Sequence, residues 1–409
     1  MKTSILAVGT ELLFGQTVNT NAAFLSENLN HMGFDVMYHF VVGDNPLRLK
    51  EKLADAFSDT DLVILTGGLG PTQDDLTKEM VAEYMGAELL RDEKVIDDLK
   101  GFFEKRGRDM PENNLKQAYL PDGCTPFYNA SGTAPGFALS KDGKTAICLP
   151  GPPREMKWLW DNGVREYLEQ FMEKKMFYRV IRTIGIGESD LEMRLMPLID
   201  GQTDPTIATY AKEGECTLRV ASQRDTTEEA EQAVNEMIDR IDALVGEYIY
   251  SLDDEDLNEV VVRILKEKGL KITSAESCTA GLFPAAITDV AGASEVMSSA
   301  YITYSNESKI KELGVPAELI ERFSVVSGEV AEAMARGALE RSGADVAVSV
   351  TGFAGPDADP GRNAGQAFIG YATADDAGYY EVNTSRGMRK WNRRYFTLRM
   401  LRAVYLLIR

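Results

Sequence analysis

The chain has 409 residues, which is too long for one ordinary hydrophobic core and predicts two or three domains. Apolar residues make up 44% of it and charged residues 26%, as is typical of a soluble globular protein. The net charge of −20 argues against nucleic acids and anionic membranes as partners, since their phosphates would be repelled. Small phosphorylated ligands remain possible, because backbone N–H groups can hold them.

The first segment, "MKTSILAVGTELLFG", has a short apolar run that Glu11 interrupts, and no cleavage-site pattern follows it. It therefore predicts a buried strand rather than a signal peptide. No run reaches the ~18 apolar residues that a membrane span needs. We expect a cytoplasmic protein that does not bind membranes.

Strand-like and helix-like patterns alternate over residues 1 to about 165. "TSILAVG", "FDVMYHFVV" and "DLVILTGG" predict strands, and "NTNAAFLSENLNHMG" and "NPLRLKEKLADAFSD" predict helices between them. This order predicts a mostly parallel sheet covered by helices on both faces. Ligands of such sheets bind at the carboxyl ends of the strands.

A glycine-rich stretch, "LTGGLGPTQDDLTKEM", follows the third of these strands. After Thr66, the glycines at 67, 68 and 70 allow a sharp turn and a close approach to a ligand phosphate. Asp74 and Asp75 come next, and a divalent metal ion could bridge them to that phosphate. Capping of the following helix by one of them is an equally good interpretation.

Residues from about 175 to 250 predict a compact α+β module like a small KH-type unit. It has a strand, a helix, a hairpin that turns at Lys212, Glu213 and Gly214, and a long acidic helix. The charge of that helix argues against RNA, so we favour a spacer or dimerisation role. A third α/β unit follows, and the predicted domains are residues 1–170, 171–252 and 253–409.

Histidine is almost absent from the sequence. His31 and His39 are the only two, and the four cysteines contain no C-x-x-C pair, so neither a zinc ribbon nor a disulfide framework is indicated. A Ser-His-Asp or Cys-His site in the later domains would need a histidine from another domain or subunit.

The stretch "TSAESCTAG", residues 273–281, ends a predicted strand and begins a predicted helix. Ser277 could be a nucleophile at this junction, or it could simply cap the helix. Tyr304 and Lys309, in "ITYSNESK", follow the end of another strand, and a neutral lysine or a tyrosine can replace histidine as a base. Thr351, in "SVTGFAGP" with Gly352 and Gly355, follows a third strand. Three strand ends that converge predict an active site.

Four N-terminal motifs, "GTELLFGQTVNTN", "TGGLGPTQDDLT", "NASGTAPGF" and "LPGPPREM", together resemble the CinA (competence/damage-inducible protein A) family. The resemblance implies a molybdopterin-binding-like three-layer domain, a homodimer, and hydrolysis of ADP-ribose with a divalent metal ion such as Mg²⁺, Mn²⁺ or Co²⁺. The residues that it implies for this site are the metal ligands Glu11, Asp44, Asp74 and Asp75 and the substrate-binding residues Thr66, Gly67, Gly68, Gly70, Gly132, Thr133 and Gly136. For Glu11, a plain turn residue is an equally good interpretation, and "SGTAPG" could be an ordinary loop.

The C-terminal motifs resemble the domain of the same family that deamidates nicotinamide mononucleotide (NMN). The resemblance implies that Ser277 is the nucleophile, that Tyr304 and Lys309 are its base system, and that Thr351 lines the site, with no cofactor. It also implies substrate contacts from Thr279, Gly281, Gly352 and Gly355. The family's glycine pair reads Ala280-Gly281 here, so Ala280 is strained if that position requires a positive φ.

The C-terminal tail is basic, with seven arginines, one lysine and no acidic residue from Val382 to Arg409. Arg389, Arg393 and Arg394 could neutralise the NMN phosphate across a subunit boundary. A basic helix that docks on the acidic surface of its own chain explains the same pattern. Two alternatives to a bifunctional nucleotide-recycling enzyme also stay open, namely a molybdopterin-type binding protein and a non-catalytic scaffold.

Overall fold

The computed structural model describes residues 1–172, 174–359, 361–384 and 387–409. The chain divides into two compact units, Met1–Met176 with Arg224–Thr226, and Phe177–Gln223 with Thr227–Arg409. Most of the predicted middle domain and all of the predicted C-terminal domain thus fall within one compact unit. In the part of the chain described, no helix is both long enough and apolar enough to cross a membrane.

The first unit is built on a six-stranded sheet. Its strands and those of a small separate ladder are β1 Lys2–Val8, β2 Asp35–Val42, β3 Leu62–Thr66, β4 Leu89–Arg91, β5 Tyr119–Pro121, β6 Thr125–Phe127, β7 Gly136–Lys141 and β8 Lys144–Leu149. The order in the main sheet is β2-β1-β3-β8-β7-β6, and β4 pairs with β5. Strands β2, β1, β3 and β8 are parallel, whereas β7 pairs antiparallel with both β8 and β6. The predicted parallel sheet is confirmed, with an antiparallel edge.

Helices cover both faces of this sheet. They are α1 Thr10–Leu13, α2 Thr20–His31, α3 Pro46–Asp59, α4 Thr77–Met85, α5 Glu93–Glu104, α6 Pro153–Leu159 and α7 Arg165–Glu169. Side chains of β3 alternate between the two faces: Val63 packs in a cluster with residues of α3, α4 and α5, and Ile64 packs with residues of α2 and α6. All five residues of β3 are buried, which explains its continuous apolar run. The three-layer prediction is therefore confirmed.

The second unit begins with a small α+β module. Its elements are β9 Lys175–Ile184, α8 Glu188–Ile199, β10 Thr206–Lys212, β11 Glu215–Arg224, α9 Thr227–Val245 and β12 Ile249–Ser251, with strand order β10-β11-β9-β12. The hairpin turns where expected, and Gly214 has a φ of 82° there. Apolar residues of α8 and α9 pack in one cluster with those of the sheet.

The remaining residues form a five-stranded α/β domain. Its elements are α10 Leu257–Lys268, β13 Ile272–Glu276, α11 Leu282–Thr288, β14 Met297–Ile302, α12 Asn306–Leu313, α13 Ala317–Phe323, α14 Gly328–Ser342, β15 Val346–Gly352, β16 Gln366–Ala372, β17 Ala377–Asn383 and α15 Arg389–Ile408. The order is β14-β13-β15-β16-β17, and β14, β13 and β15 are parallel. Their carboxyl ends therefore lie at one edge of the sheet. Strand β17 is an addition that the sequence patterns did not predict.

Candidate active sites

Ser277 and Lys309 meet at the carboxyl edge of the C-terminal sheet. Ser277 directly follows β13, and Lys309 lies in the first turns of α12, whose start is fixed by a capping box between Ser305 and Ser308. The Lys309 Nζ donates to the Ser277 Oγ at 3.2 Å. It also donates to the carbonyl oxygens of Thr303, at 2.8 Å, and Tyr304, at 3.3 Å.

The surroundings of Lys309 make its ammonium group easier to deprotonate than that of a surface lysine. The residue is fully buried, and burial lowers its pKa to about 8. Among the described residues, no carboxylate forms an ion pair with it, and its contacts are a hydroxyl and two carbonyls. The neutral amine that forms when Lys309 loses its proton can accept the proton of the serine hydroxyl.

Ser277 does not cap a helix. Helix α11 begins five residues later, at Leu282, and its N-cap residue is Gly281. The alternative in which Ser277 is only a cap is therefore wrong. The hydroxyl is instead held by Lys309, and the Ser277 N–H donates to the Val350 carbonyl at 3.1 Å, which joins the loop to β15.

Cys278 is a core residue rather than a competing nucleophile. It is 5% exposed and packs in the main apolar cluster of the domain. Burial raises the pKa of its thiol to about 12. Because the thiolate is the reactive form of cysteine, this side chain is inert at neutral pH.

Tyr304 lies at the same edge, but its hydroxyl points to an arginine. Its side chain is 60% exposed, and its Oη accepts from the Arg389 Nη2 at 3.2 Å. Only its carbonyl oxygen contacts Lys309. Of the two residues in the predicted base system, Lys309 is therefore the one that contacts Ser277, and the catalytic role of Tyr304 stays a prediction.

Thr351 and Gly352 are the last two residues of β15, and Gly355 lies three residues after its end, so all three are at the expected strand end. Thr351 is buried, and its hydroxyl donates to the Val325 carbonyl at 2.8 Å, so its proton is already engaged within the fold. A Cβ at Gly352 would overlap that of Ala367 on the neighbouring strand. Gly355 has a φ of 89°, which favours glycine.

Helix α15 brings two of the three predicted arginines into the site of its own chain. Arg389 donates to the Gly355 carbonyl at 2.9 Å as well as to Tyr304. Arg393 donates to the carbonyl oxygens of Cys278, at 3.0 Å, and Thr279, at 2.6 Å. Arg394 is exposed on the same helix. A subunit boundary is therefore not needed to place Arg389 and Arg393 near Ser277.

The loop after Ser277 is strained where the sequence suggested. Ala280 has a φ of 50° and Gly281 one of 94°, both in the region that favours glycine. Thr279, which lies between Ser277 and Ala280 in the sequence, is fully buried.

Glu276, the last residue of β13, is a feature that the sequence reasoning missed. It is fully buried, and its Oε2 accepts from the N–H groups of Gly281, at 3.1 Å, and Phe283, at 3.4 Å. Burial raises the pKa of this carboxyl. An acidic residue at the end of an otherwise uncharged buried strand was the signal that could have identified it.

The first unit contains a cavity of about 390 Å³ at the carboxyl ends of β1, β2 and β3. Among the predicted residues, it is lined by Glu11, Asp44, Gly67, Gly68, Gly70, Asp74, Asp75 and Thr133. Glu155, which was not predicted as a site residue, also lines it. Five carboxylates from four separate segments of the chain thus share one cavity with the glycine-rich loop.

Asp44 and Asp75 are oriented by neighbouring threonines. The Asp44 Oδ2 accepts from the N–H of Thr10 at 3.0 Å and from its hydroxyl at 2.7 Å. The Asp75 Oδ2 accepts from the N–H of Thr72 at 2.9 Å and from its hydroxyl. The N-cap residue of α4 is Leu76, so neither Asp74 nor Asp75 caps that helix, and the capping alternative is wrong.

The glycines of the loop are required by contacts within the chain. Gly67 has a φ of 102°, and a Cβ there would overlap the Val8 carbonyl oxygen. Gly68 has a φ of 67°, and a Cβ at Gly70 would overlap the Asp75 carboxylate. Thr66 is buried below the loop, where its hydroxyl accepts from the Asn21 Nδ2 at 2.9 Å.

The second predicted loop, residues 131–136, is held by two side chains that the sequence reasoning did not name. The Asn129 Oδ1 accepts from the N–H groups of Ser131 and Gly132, at 2.9 and 3.0 Å. The Asn129 Nδ2 donates to the Glu155 Oε2 at 2.6 Å, and burial raises the pKa of Glu155. Gly136 is the first residue of β7 rather than part of the cavity wall.

The cavity suits a hard cation only together with a ligand. Among the described residues, no three His, Cys, Asp or Glu side chains are grouped closely enough to hold a metal ion by themselves. Carboxylate oxygens are nevertheless the ligands that Mg²⁺ takes, usually one or two of them together with substrate phosphates. The residues present fit that second arrangement.

Comparison with protein families divides the chain into three matches. Residues 4–170 match the model "Probable molybdopterin binding domain", residues 178–251 match "Damage-inducible protein CinA KH domain", and residues 254–408 match "CinA C-terminal domain".

Similar proteins match over nearly the whole chain. A protein of Caldicellulosiruptor saccharolyticus, named as competence-damage inducible, is 48% identical over 386 residues, which are 94% of each chain. A "CinA-like protein" of Dictyoglomus thermophilum is 45% identical over 402 residues, 98% of each chain. Among solved structures, the protein CinA of Thermoplasma acidophilum is 39% identical with a TM-score of 0.37, and the match covers 42% of this chain and 97% of that one.

Proposed function

Because the chain belongs to the CinA family, we propose that its C-terminal domain hydrolyses the carboxamide of NMN to nicotinate mononucleotide and ammonia. The observation that carries this proposal is the 3.2 Å contact between the Lys309 Nζ and the Ser277 Oγ. A buried lysine with a lowered pKa supplies the base that this histidine-poor chain otherwise lacks.

The reaction would proceed through an ester on Ser277. The Ser277 Oγ attacks the carboxamide carbon while the neutral Lys309 amine takes its proton. Lys309 then gives that proton to the leaving nitrogen, which departs as ammonia. A water molecule attacks the ester with Lys309 again as base, and the proton returns to the Ser277 Oγ as nicotinate mononucleotide leaves.

Backbone and side-chain groups around Ser277 suit this chemistry. Backbone N–H groups of the loop that follows the nucleophile can stabilise the oxyanion. Arg389 uses two of its five N–H groups within the protein, so further donors remain for the NMN phosphate. The proposal requires no cofactor.

Ammonia release from NMN tests the proposal. We expect Ser277→Ala and Lys309→Met to lower kcat/KM by at least about 10³-fold, the scale of loss when a catalytic group is removed. Cys278→Ala is the matched control, since its thiol is protonated and buried, and it should stay within about threefold of the unchanged protein. Full activity of Ser277→Ala would show that the nucleophile is another residue.

We further propose that the first unit hydrolyses ADP-ribose to AMP and ribose 5-phosphate with a divalent metal ion. The observation in favour is that five carboxylates line the same cavity as the glycine-rich loop. A pyrophosphate would be repelled by that charge unless a cation neutralised it. When bound, the metal would supply charge neutralisation and a more acidic water. One or two of the carboxylates of Glu11, Asp44, Asp74 and Asp75 would hold it together with the phosphates, which the loop N–H groups would also bind.

AMP formation from ADP-ribose tests this second activity. It should require added Mg²⁺, Mn²⁺ or Co²⁺ and fall at least about 100-fold in Asp75→Asn, which removes a metal-binding charge. Asp97→Asn, on the exposed side of α5 and outside the cavity, is the control and should change little. If the purified protein retains a pterin and leaves ADP-ribose intact, the molybdopterin-type binding alternative is favoured instead.

A further inference from the structure

We infer that Glu276 is a positioning residue, which holds the loop of residues 277–281 so that Ser277 stays in contact with Lys309. The inference rests on the proposed amide hydrolysis at Ser277, and it adds a residue to which no chemical role has been given. Glu276 touches neither Ser277's hydroxyl nor Lys309 in the described contacts, so it would act only through the backbone.

The Glu276 carboxylate connects the two ends of the loop of residues 277–281. Glu276 stands immediately before the nucleophile, and its Oε2 accepts from Gly281 and Phe283, which lie after it. These N–H groups belong to the N-terminal end of α11, whose N-cap residue provides no side-chain acceptor. The buried carboxylate therefore replaces the missing cap and ties both ends of the loop together.

The loop of residues 277–281 contains a strained residue. Ala280 is exposed and has a φ of 50°, a conformation that costs an L-residue roughly 1–2 kcal/mol. Nothing about an exposed alanine favours that conformation locally, so contacts at the ends of the loop must maintain it. Glu276 supplies such contacts from the N–H side, and Arg393 supplies them from the carbonyl side, at Cys278 and Thr279.

Burial of the Glu276 carboxylate has a cost in the free energy of folding. Glu276 is fully buried at the end of a strand whose other residues are uncharged, and a buried carboxylate destabilises a fold unless it is well compensated. An apolar residue would pack there at lower cost. A group that is expensive for stability and adjacent to the nucleophile is more readily explained by function than by folding.

The experiment compares Glu276→Met and Glu276→Gln in the full chain. Methionine has a similar length and no comparable acceptor, whereas glutamine keeps an acceptor oxygen with the same reach. Ser274→Ala, two residues earlier on the same buried strand, is the matched control for a change in that layer. Three quantities are measured: hydrogen exchange of the Gly281 and Phe283 amides, kcat and KM for NMN, and the melting temperature.

We expect Glu276→Met to speed exchange of both amides at least tenfold and to lower kcat about 100-fold, as a displacement of about 1 Å can do. KM should change less than about threefold, and the melting temperature should change little, because the lost capping contacts offset the removal of a buried carboxylate. Glu276→Gln should restore slow exchange and most of kcat. Ser274→Ala should resemble the unchanged protein in all three measurements.

Two results would overturn the inference. One is unchanged amide exchange in Glu276→Met, which would mean that the carboxylate does not hold the loop. The other is faster exchange with unchanged kcat, which would mean that the loop need not be held.

The inference and the proposed function can fail separately. If the unchanged protein releases no ammonia from NMN, the proposed function fails, and labelling of Ser277 by a fluorophosphonate replaces kcat as the readout. Faster exchange together with slower labelling in Glu276→Met would then still support the positioning role, and equal labelling rates would refute it.

Discussion

Lys309 has only uncharged partners among the described residues. A hydroxyl and two carbonyl oxygens accept its protons, and burial brings its pKa down to about 8. A lysine on the surface would be protonated at neutral pH and could not act as a base. Burial therefore gives this lysine the lowered pKa that makes it a candidate base.

The rate of NMN hydrolysis should rise with pH. Below a pKa of about 8, the fraction of neutral Lys309 increases about tenfold for each pH unit, and above that value it saturates. We expect kcat/KM to follow this curve between about pH 6 and 10, measured as initial rates at constant ionic strength. A profile that is flat or falls with pH would exclude a neutral lysine as the base.

Substitution of Ala280 offers a direct measure of strain in the loop of residues 277–281. Ala280→Gly removes the Cβ from a residue with a φ of 50°, so it should raise the free energy of unfolding by roughly 0.5–1 kcal/mol. Ala285→Gly, at an exposed position inside α11, should lower it by a similar amount. Chemical denaturation of the two variants would compare them, and equal effects would contradict the strain.

Sequence reasoning placed Ser277 and Lys309 in one site, and the structure brings them into contact, but it did not find the residues that surround them. Ser277 and Lys309 could be paired because each follows a strand that a parallel sheet brings to one edge. Glu276 and Glu155 escaped notice because their importance depends on burial, which short patterns do not reveal. The direction of the Tyr304 hydroxyl depends on Arg389, 85 residues away, and no local pattern encodes it.

At the level of elements, the glycine-rich loop is shaped first by the strands below it. Gly67 comes so close to the carbonyl of Val8 on β1 that only hydrogen fits, and its own N–H donates to the Leu149 carbonyl at the end of β8 at 2.9 Å. The loop is thus fixed to both neighbours of β3 before any ligand binds. The sequence predicted the glycines from ligand approach, whereas close packing within the chain accounts for them as well.

Gly67→Ala should therefore damage the fold and not only ligand binding. Overlap with Val8 and a φ of 102° should together cost several kcal/mol, on the order of the largest single-residue effects. Gly101→Ala, inside α5 with open space around it, should instead stabilise by up to about 1 kcal/mol. Thermal unfolding measures both, and a neutral Gly67→Ala would show that the loop can relax away from β1.

Buried strands were the elements that sequence patterns predicted best. Apolar runs such as "DLVILTGG" become strands buried on both faces, which is why they are continuous. Strand β17 was missed because it lies at the sheet edge, where Tyr379 is exposed and Val382 buried, so its apolar signal is weak.

On the scale of the whole molecule, the two candidate sites lie in different compact units. Their ionisable groups also differ, since one site contains a buried lysine and the other is lined by five carboxylates. Each site is built from residues of its own unit. A change of charge at one site should therefore leave the other reaction intact.

Single-residue variants of the full chain should separate the two proposed activities. Ser277→Ala should abolish ammonia release and leave metal-dependent AMP formation within about twofold, as expected for sites that share no residues. Asp75→Asn should have the opposite effect. Parallel assays of both products on each variant provide the measurement, and loss of both activities in either variant would indicate coupling between the units.

The contacts of Lys309 have a consequence for sequence change over evolutionary time. Two of its three partners are main-chain oxygens, of Thr303 and Tyr304, which no substitution can delete. Residues around the lysine can therefore be substituted without removing those partners, provided that the backbone conformation of the turn before α12 does not change. That turn depends on a reciprocal pair of serines, Ser305 and Ser308. Tolerance to mutation near this site should accordingly be broad, with that pair among the few vulnerable positions.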